Sequence, residues 1–130
     1  MIVIDTSVWV DFFRQGQRIV KAVTADLLDR DLVLMTPFAV LEICAGARGS
    51  EQRRLQNLFE AMPIVYPTPS TWSLAQNWVQ VATAAGQRFG AIDLVIATLA
   101  KEHGADIWTL DADFRRMATL GFVTLFDPDT

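Results

Sequence analysis

At 130 residues the chain has room for one compact domain and not for two cores of ordinary size, so a single domain over 1–130 is expected. Its hydrophobic content of 52% fills a core and excludes a disordered segment, while its one cysteine excludes an intrachain disulfide and a cysteine-based metal site. A net charge of −4 excludes a protein that coats nucleic acid through basic residues alone, but not an enzyme that reaches phosphates through bound cations.

The chain opens on Met1-Ile2-Val3-Ile4, an apolar, β-branched run that reads as a buried strand ending at Asp5. That run is far short of a secretory segment, and nothing approaches the ~18–20 apolar residues that span a bilayer, so a soluble cytoplasmic protein is expected. A helix follows with Ile19, Val20, Val23, Leu27 and Leu28 on one face. Leu32–Met35 is a second strand, and Thr36-Pro37 supplies a cap and a first-turn proline for a helix to about Ala45, broken by Gly46 and Gly49. Cys44 sits in that helix, in an apolar stretch where a buried thiol is expected. Ser50 caps the next helix, which Pro63 stops, and Ile64-Val65-Tyr66 reads as a third strand. Pro67 and Pro69 then mark a turn, and Ser70 opens a long helix carrying Trp72, Ala75, Trp78, Val79 and Ala82 on one face. A further helix runs from about Ala91 to His103 and ends at Gly104. Asp106–Thr109 and Phe122–Phe126 are the fourth and fifth strands, with a short helix between them. Strand and helix alternate throughout, which implies a parallel sheet covered by helices on both faces, with its site at the carboxyl ends of the strands.

Most acids lie on polar stretches and read as solvated, but four do not. Asp5 follows four apolar residues, Glu42 interrupts Phe38–Ala45, Asp93 interrupts Ala91–Ala97, and Asp111 follows Ile107-Trp108-Thr109-Leu110 with Asp113 two residues on. Any one of them has an innocent reading as a helix cap, a turn residue or a solvated edge. Taken together, they fall where the expected fold gathers side chains, in apolar runs without Lys or Arg, and ionised carboxylates are rarely buried without a partner. A cation is the simplest remedy. Oxygen-only ligands point to Mg²⁺, or Mn²⁺, which would activate a water for in-line attack on a phosphodiester.

These residues in this order resemble the PIN-domain family, and within it the VapC-type toxins of bacterial toxin–antitoxin pairs. The resemblance covers essentially the whole chain. It rests on Val3-Ile4-Asp5-Thr6-Ser7-Val8-Trp9, Thr36-Pro37 with Leu41-Glu42-Ile43 and Gly46, Phe89-Gly90 with Asp93–Ala97, and Thr109–Phe114. It implies a PIN-like α/β/α sandwich with a central five-stranded parallel sheet. Asp5, Glu42, Asp93 and Asp111 would be the catalytic, metal-ligating acids, with Asp113 as substitute or helper for the fourth. Thr6 or Ser7 would add a hydroxyl near the metal, and Thr109 would hold a carboxylate in place. The implied activity is endoribonucleolytic cleavage of RNA leaving 5′-phosphate and 3′-hydroxyl ends, with a cognate VapB-type antitoxin and a homodimer as partners. One departure is Ala39, where many relatives carry a hydroxyl residue three positions before the glutamate.

Other residues take ordinary readings. His103, the sole histidine, reads as a helix end, and Trp9, Trp72 and Trp78 as core or dimer packing rather than base-stacking platforms. Among the arginines, Arg88 and Arg115 are favoured for RNA because they flank the Asp93 and Asp111 motifs. A haloacid-dehalogenase-like phosphatase would use Asp111 and Asp113, but too little chain follows them for its remaining parts. A phospho-receiver needs a lysine after a late strand, and Lys21 and Lys101 both fall on helices. A non-catalytic interaction module of the same fold would not need acids inside apolar runs.

Overall fold

The computed structural model describes residues 1–129. Its centre is β1 (Ile2–Ile4), three β-branched residues that are all buried. Strands β2 (Val33–Leu34) and β3 (Asp106–Trp108) flank it in the order β2-β1-β3, every pairing parallel. Ile2 faces Val33 on one side and Asp106 on the other, which brings Ile4 opposite Trp108 and aligns the carboxyl ends of β1 and β3.

Parallel pairing obliges the chain to cross over between strands, and helices make each crossing. Between β1 and β2 lie α1 (Thr6–Phe13) and α2 (Arg18–Asp29). Between β2 and β3 lie α3 (Pro37–Ala45), α4 (Ser50–Glu60), α5 (Pro69–Ala84) and α6 (Ala91–Glu102), and α7 (Ala112–Thr119) follows β3. Successive strand side chains point to opposite faces, so Ile2 and Ile4 join one core and Val3 the other. The first core draws Trp9 from α1, Leu27 from α2, Ile43 from α3 and Phe59 from α4; the second draws Trp78 from α5, Leu94 and Ile96 from α6, and Phe114 and Met117 from α7. The result is three layers, α/β/α.

The expected five-stranded sheet is reduced to three strands among the described residues. Each of the other two segments contributes a single parallel bridge, Ile64 to Met35 and Leu125 to Ile107. Both bridges carry two backbone hydrogen bonds: Met35 N to Pro63 O (2.9 Å) and Val65 N to Met35 O (3.0 Å), then Ile107 N to Thr124 O (2.9 Å) and Phe126 N to Ile107 O (2.8 Å). Pro63 and Pro67 bracket Ile64–Tyr66 and cannot donate to a ladder, so pairing stops after one register position. The far segment is confined in the same way between Gly121, at φ 77°, and Pro128.

Local signals account for most helix ends. Thr36 Oγ1 accepts from Ala39 N (3.3 Å) with Pro37 at the first helical position, as expected. The cap of the long helix lies two residues before Ser70, because Thr68 forms a capping box with Thr71 and Pro69 follows it. Gly49 rather than Ser50 occupies the cap of α4. His103 ends α6, its Nδ1 2.9 Å from Leu99 O, before Gly104 at φ 60°. Helix α1 is an addition to the expected elements: Val8, Trp9, Phe12 and Phe13 recur at helical spacing and join one core, where Trp9 and Phe13 pack against Phe59. No helix is long and apolar enough to cross a membrane among the described residues.

Candidate active site

The carboxyl ends of β1 and β3 are joined by hydroxyl groups, and this sets the site's frame. Asp5, the residue after β1, is 7% exposed and caps α1. Its Oδ2 accepts from Ser7 Oγ (2.7 Å), Ser7 N (3.4 Å) and Thr109 Oγ1 (3.0 Å). Thr109 Oγ1 in turn accepts from Asp111 N (2.9 Å), and Ser7 Oγ accepts from Leu110 N (3.0 Å). One turn later Asp111 caps α7, its Oδ1 accepting from Asp113 N (2.9 Å). Asp93 enters from the first turn of α6, whose cap residue Gly90 makes no side-chain capping bond.

Carboxylate oxygens of Asp93, Asp111 and Asp113 lie within 4.8 Å of one another, all half-buried. Burial first, and then the charges of Asp5, Asp111, Asp113 and Glu42 in that order, together raise the Asp93 carboxyl from 3.8 to about 6. The one salt bridge that reaches the cluster among the described residues joins Arg116 Nη2 to Asp113 Oδ1 (2.6 Å). An oxygen-only donor set with so little counter-charge suits a hard divalent cation. Thr6 Oγ1, beside Asp5, is buried without a hydrogen-bond partner among the described residues.

Of the residues expected from sequence, Asp5, Asp93, Asp111 and Asp113 converge at one end of the sheet. Glu42 is exposed, because the apolar run of α3 wraps the helix rather than one face and leaves Leu41 71% exposed beside it. Its charge still acts on Asp93, the weakest of the four. Ser7 and Thr109 hold Asp5, whereas Thr6 does not touch it through a hydrogen bond. Arg88 and Arg115 are exposed and form no ion pair among the described residues. The arginine that reaches the cluster is Arg116, one of the candidate arginines ranked below Arg88 and Arg115; its signal is the three-residue spacing from Asp113, which places both on one helix face. Trp9 and Trp78 are core residues, and Trp72 is half-exposed.

The PIN domain family model matches residues 2–120. The chain belongs to the PIN domain family. One PIN relative, Ribonuclease VapC11 of Mycobacterium tuberculosis, is 32% identical over 126 residues, covering 92% of this chain and 93% of that protein. Among solved structures, this PIN chain is similar to FitAcB from Neisseria gonorrhoeae (TM-score 0.79, 24% identity, 98% of each chain) and to VapBC-1 from nontypeable Haemophilus influenzae (TM-score 0.75, 22% identity, 100% of each chain). PIN membership disfavours the dehalogenase-like alternative, for which Asp111 would be the nucleophile while its Oδ1 is engaged in capping α7.

Proposed function

We propose that this chain is the ribonuclease toxin of a VapC-type toxin–antitoxin pair, cleaving RNA phosphodiesters with a divalent cation, Mg²⁺ or Mn²⁺. The observation that carries the reading is the meeting of Asp5, Asp93, Asp111 and Asp113, from three separate stretches of chain, at the carboxyl end of a parallel sheet. The toxin assignment rests on the VapC-named relative that spans nearly the whole chain.

Asp93, Asp111 and Asp113 would supply oxygens to the cation, with Asp5 and Glu42 adding negative charge nearby. When bound, such an ion lowers the pKa of a water and offsets charge on the phosphoryl oxygens. The chain's own share is orientation. Ser7 and Thr109 hold Asp5 by Oδ2, leaving Oδ1 without a hydrogen bond among the described residues. Thr109 also fixes the backbone of Asp111, so a single hydroxyl sets two of the acids. No side-chain nucleophile is needed, and His103 is held at the far end of α6 by Leu99 O.

The partners follow from the same reading: RNA as substrate, a VapB-type antitoxin that blocks the site, and a second copy of this chain, in the cytoplasm. The test is an assay on a single-stranded RNA with end-group analysis of the fragments. Cleavage in Mg²⁺ that leaves 5′-phosphate ends and stops on chelation supports the reading; cleavage that continues in EDTA refutes it.

A further inference from the structure

Arg116 is the only guanidinium in contact with the acid cluster among the described residues, and all its partners but one belong to a different segment. Nη2 donates to Asp113 Oδ1 on its own helix. Nη1 donates to Gln87 Oε1, and the Cζ atom lies 4.8 Å from the Phe89 ring centroid. Gln87 and Phe89 form the turn that leads into Gly90 and α6. Phe89 also meets Phe122 edge-on at 6.4 Å, and Phe122 stacks on Trp78 at 4.3 Å, so the turn is anchored in the core beneath the arginine.

This arrangement answers a mechanical problem. Three like charges within 4.8 Å push the amino ends of α6 and α7 apart. The α6 start has no side-chain cap of its own to hold it. Arg116 ties the turn before α6 to α7 using two in-plane N–H groups and one face of its guanidinium. A lysine ammonium cannot reproduce that combination. The ion pair itself is half-exposed, 40% and 39% on its two side chains, and adds little to global stability.

We propose that Arg116 is a positioning residue that clamps the turn before α6 to α7 and so keeps Asp93 at cation-binding distance from Asp111 and Asp113. The proposal rests on the metal-dependent reading above. Its test is calorimetric titration of Mn²⁺ into wild type, Arg116→Ala, Arg116→Lys and Gln87→Ala, with a melting curve of each. Charge alone predicts that removing Arg116 tightens Mn²⁺ binding, because a neighbouring cation is lost. The clamp predicts the opposite: Mn²⁺ binding weaker by about 10–100-fold in Arg116→Ala, no rescue in Arg116→Lys, and a smaller loss in Gln87→Ala, which changes no charge. Tighter or unchanged binding in Arg116→Ala, or full rescue by lysine, overturns the clamp. Should Arg116→Ala show no cooperative melt, Gln87→Ala decides, and unchanged Mn²⁺ binding there overturns it. A wild type that binds no Mn²⁺ fails the metal reading itself, whereas a wild type that binds Mn²⁺ alongside an equally competent Arg116→Ala fails only the clamp.

Discussion

Asp93 is where the cost of assembling the site is most visible. Its carboxyl titrates near 6 rather than 3.8, because burial and four neighbouring carboxylates disfavour the charge. Between those values the folded state binds more protons than the unfolded one, so metal-free stability falls as pH rises through that window. Asp93→Asn removes the penalty. It should melt higher than wild type at pH 7.5 without metal, and the difference should vanish below pH 4; a constant offset would show that the carboxylate is not strained. Divalent cations compete with the proton on Asp93, so Mn²⁺ affinity should drop as pH falls below about 6. Thr109 is the second informative residue. Thr109→Val strips a bond from Asp5 Oδ2 and leaves Asp111 N without its acceptor, so it should cost about 1–3 kcal/mol in a denaturant melt and lower RNA cleavage by about 10–100-fold. Loss of stability with full activity would show that the hydroxyl holds the fold only.

At the scale of elements, chemistry was legible where acids interrupt apolar residues and hidden where packing decides. The strand ends at Asp5 and Asp111 and the helix start before Asp93 were readable from hydrophobic runs and glycines. Glu42 was placed in an apolar helix correctly, but its burial was not: a helix apolar on all sides says nothing about which side is covered, and α3 leaves Leu41 and Glu42 outside. The two outer strands failed for a different reason. Their composition is strand-like, yet the prolines around Ile64–Tyr66 limit the ladder to one bridge, a tertiary outcome that β-propensity does not report. Because Thr36 starts the helix that carries Glu42, Thr36→Ala should cost about 1 kcal/mol in a thermal or urea melt. A variant as stable as wild type would mean that Pro37 alone fixes the helix start.

The whole molecule uses its fold to solve an electrostatic problem. A chain of net charge −4 sets at least four carboxylates around the carboxyl end of a buried sheet, with one arginine at the rim. The two cores on either side of β1 hold that end rigid, through Trp9 and Phe59 on one face and Trp78 and Phe122 on the other. A ligand that binds only the folded state stabilises it by mass action, so saturating Mn²⁺ should raise the melting temperature of wild type and leave Asp93→Asn nearly unmoved. Equal shifts would place the ion elsewhere on the surface. The most direct test of the central claim is the rate of RNA cleavage by wild type and Asp93→Asn as Mn²⁺ is titrated at pH 7.5. The account predicts a saturable rise for wild type, abolished by EDTA, and no rise for Asp93→Asn. A wild-type rate independent of the metal, or a variant that follows the wild-type curve, would contradict it.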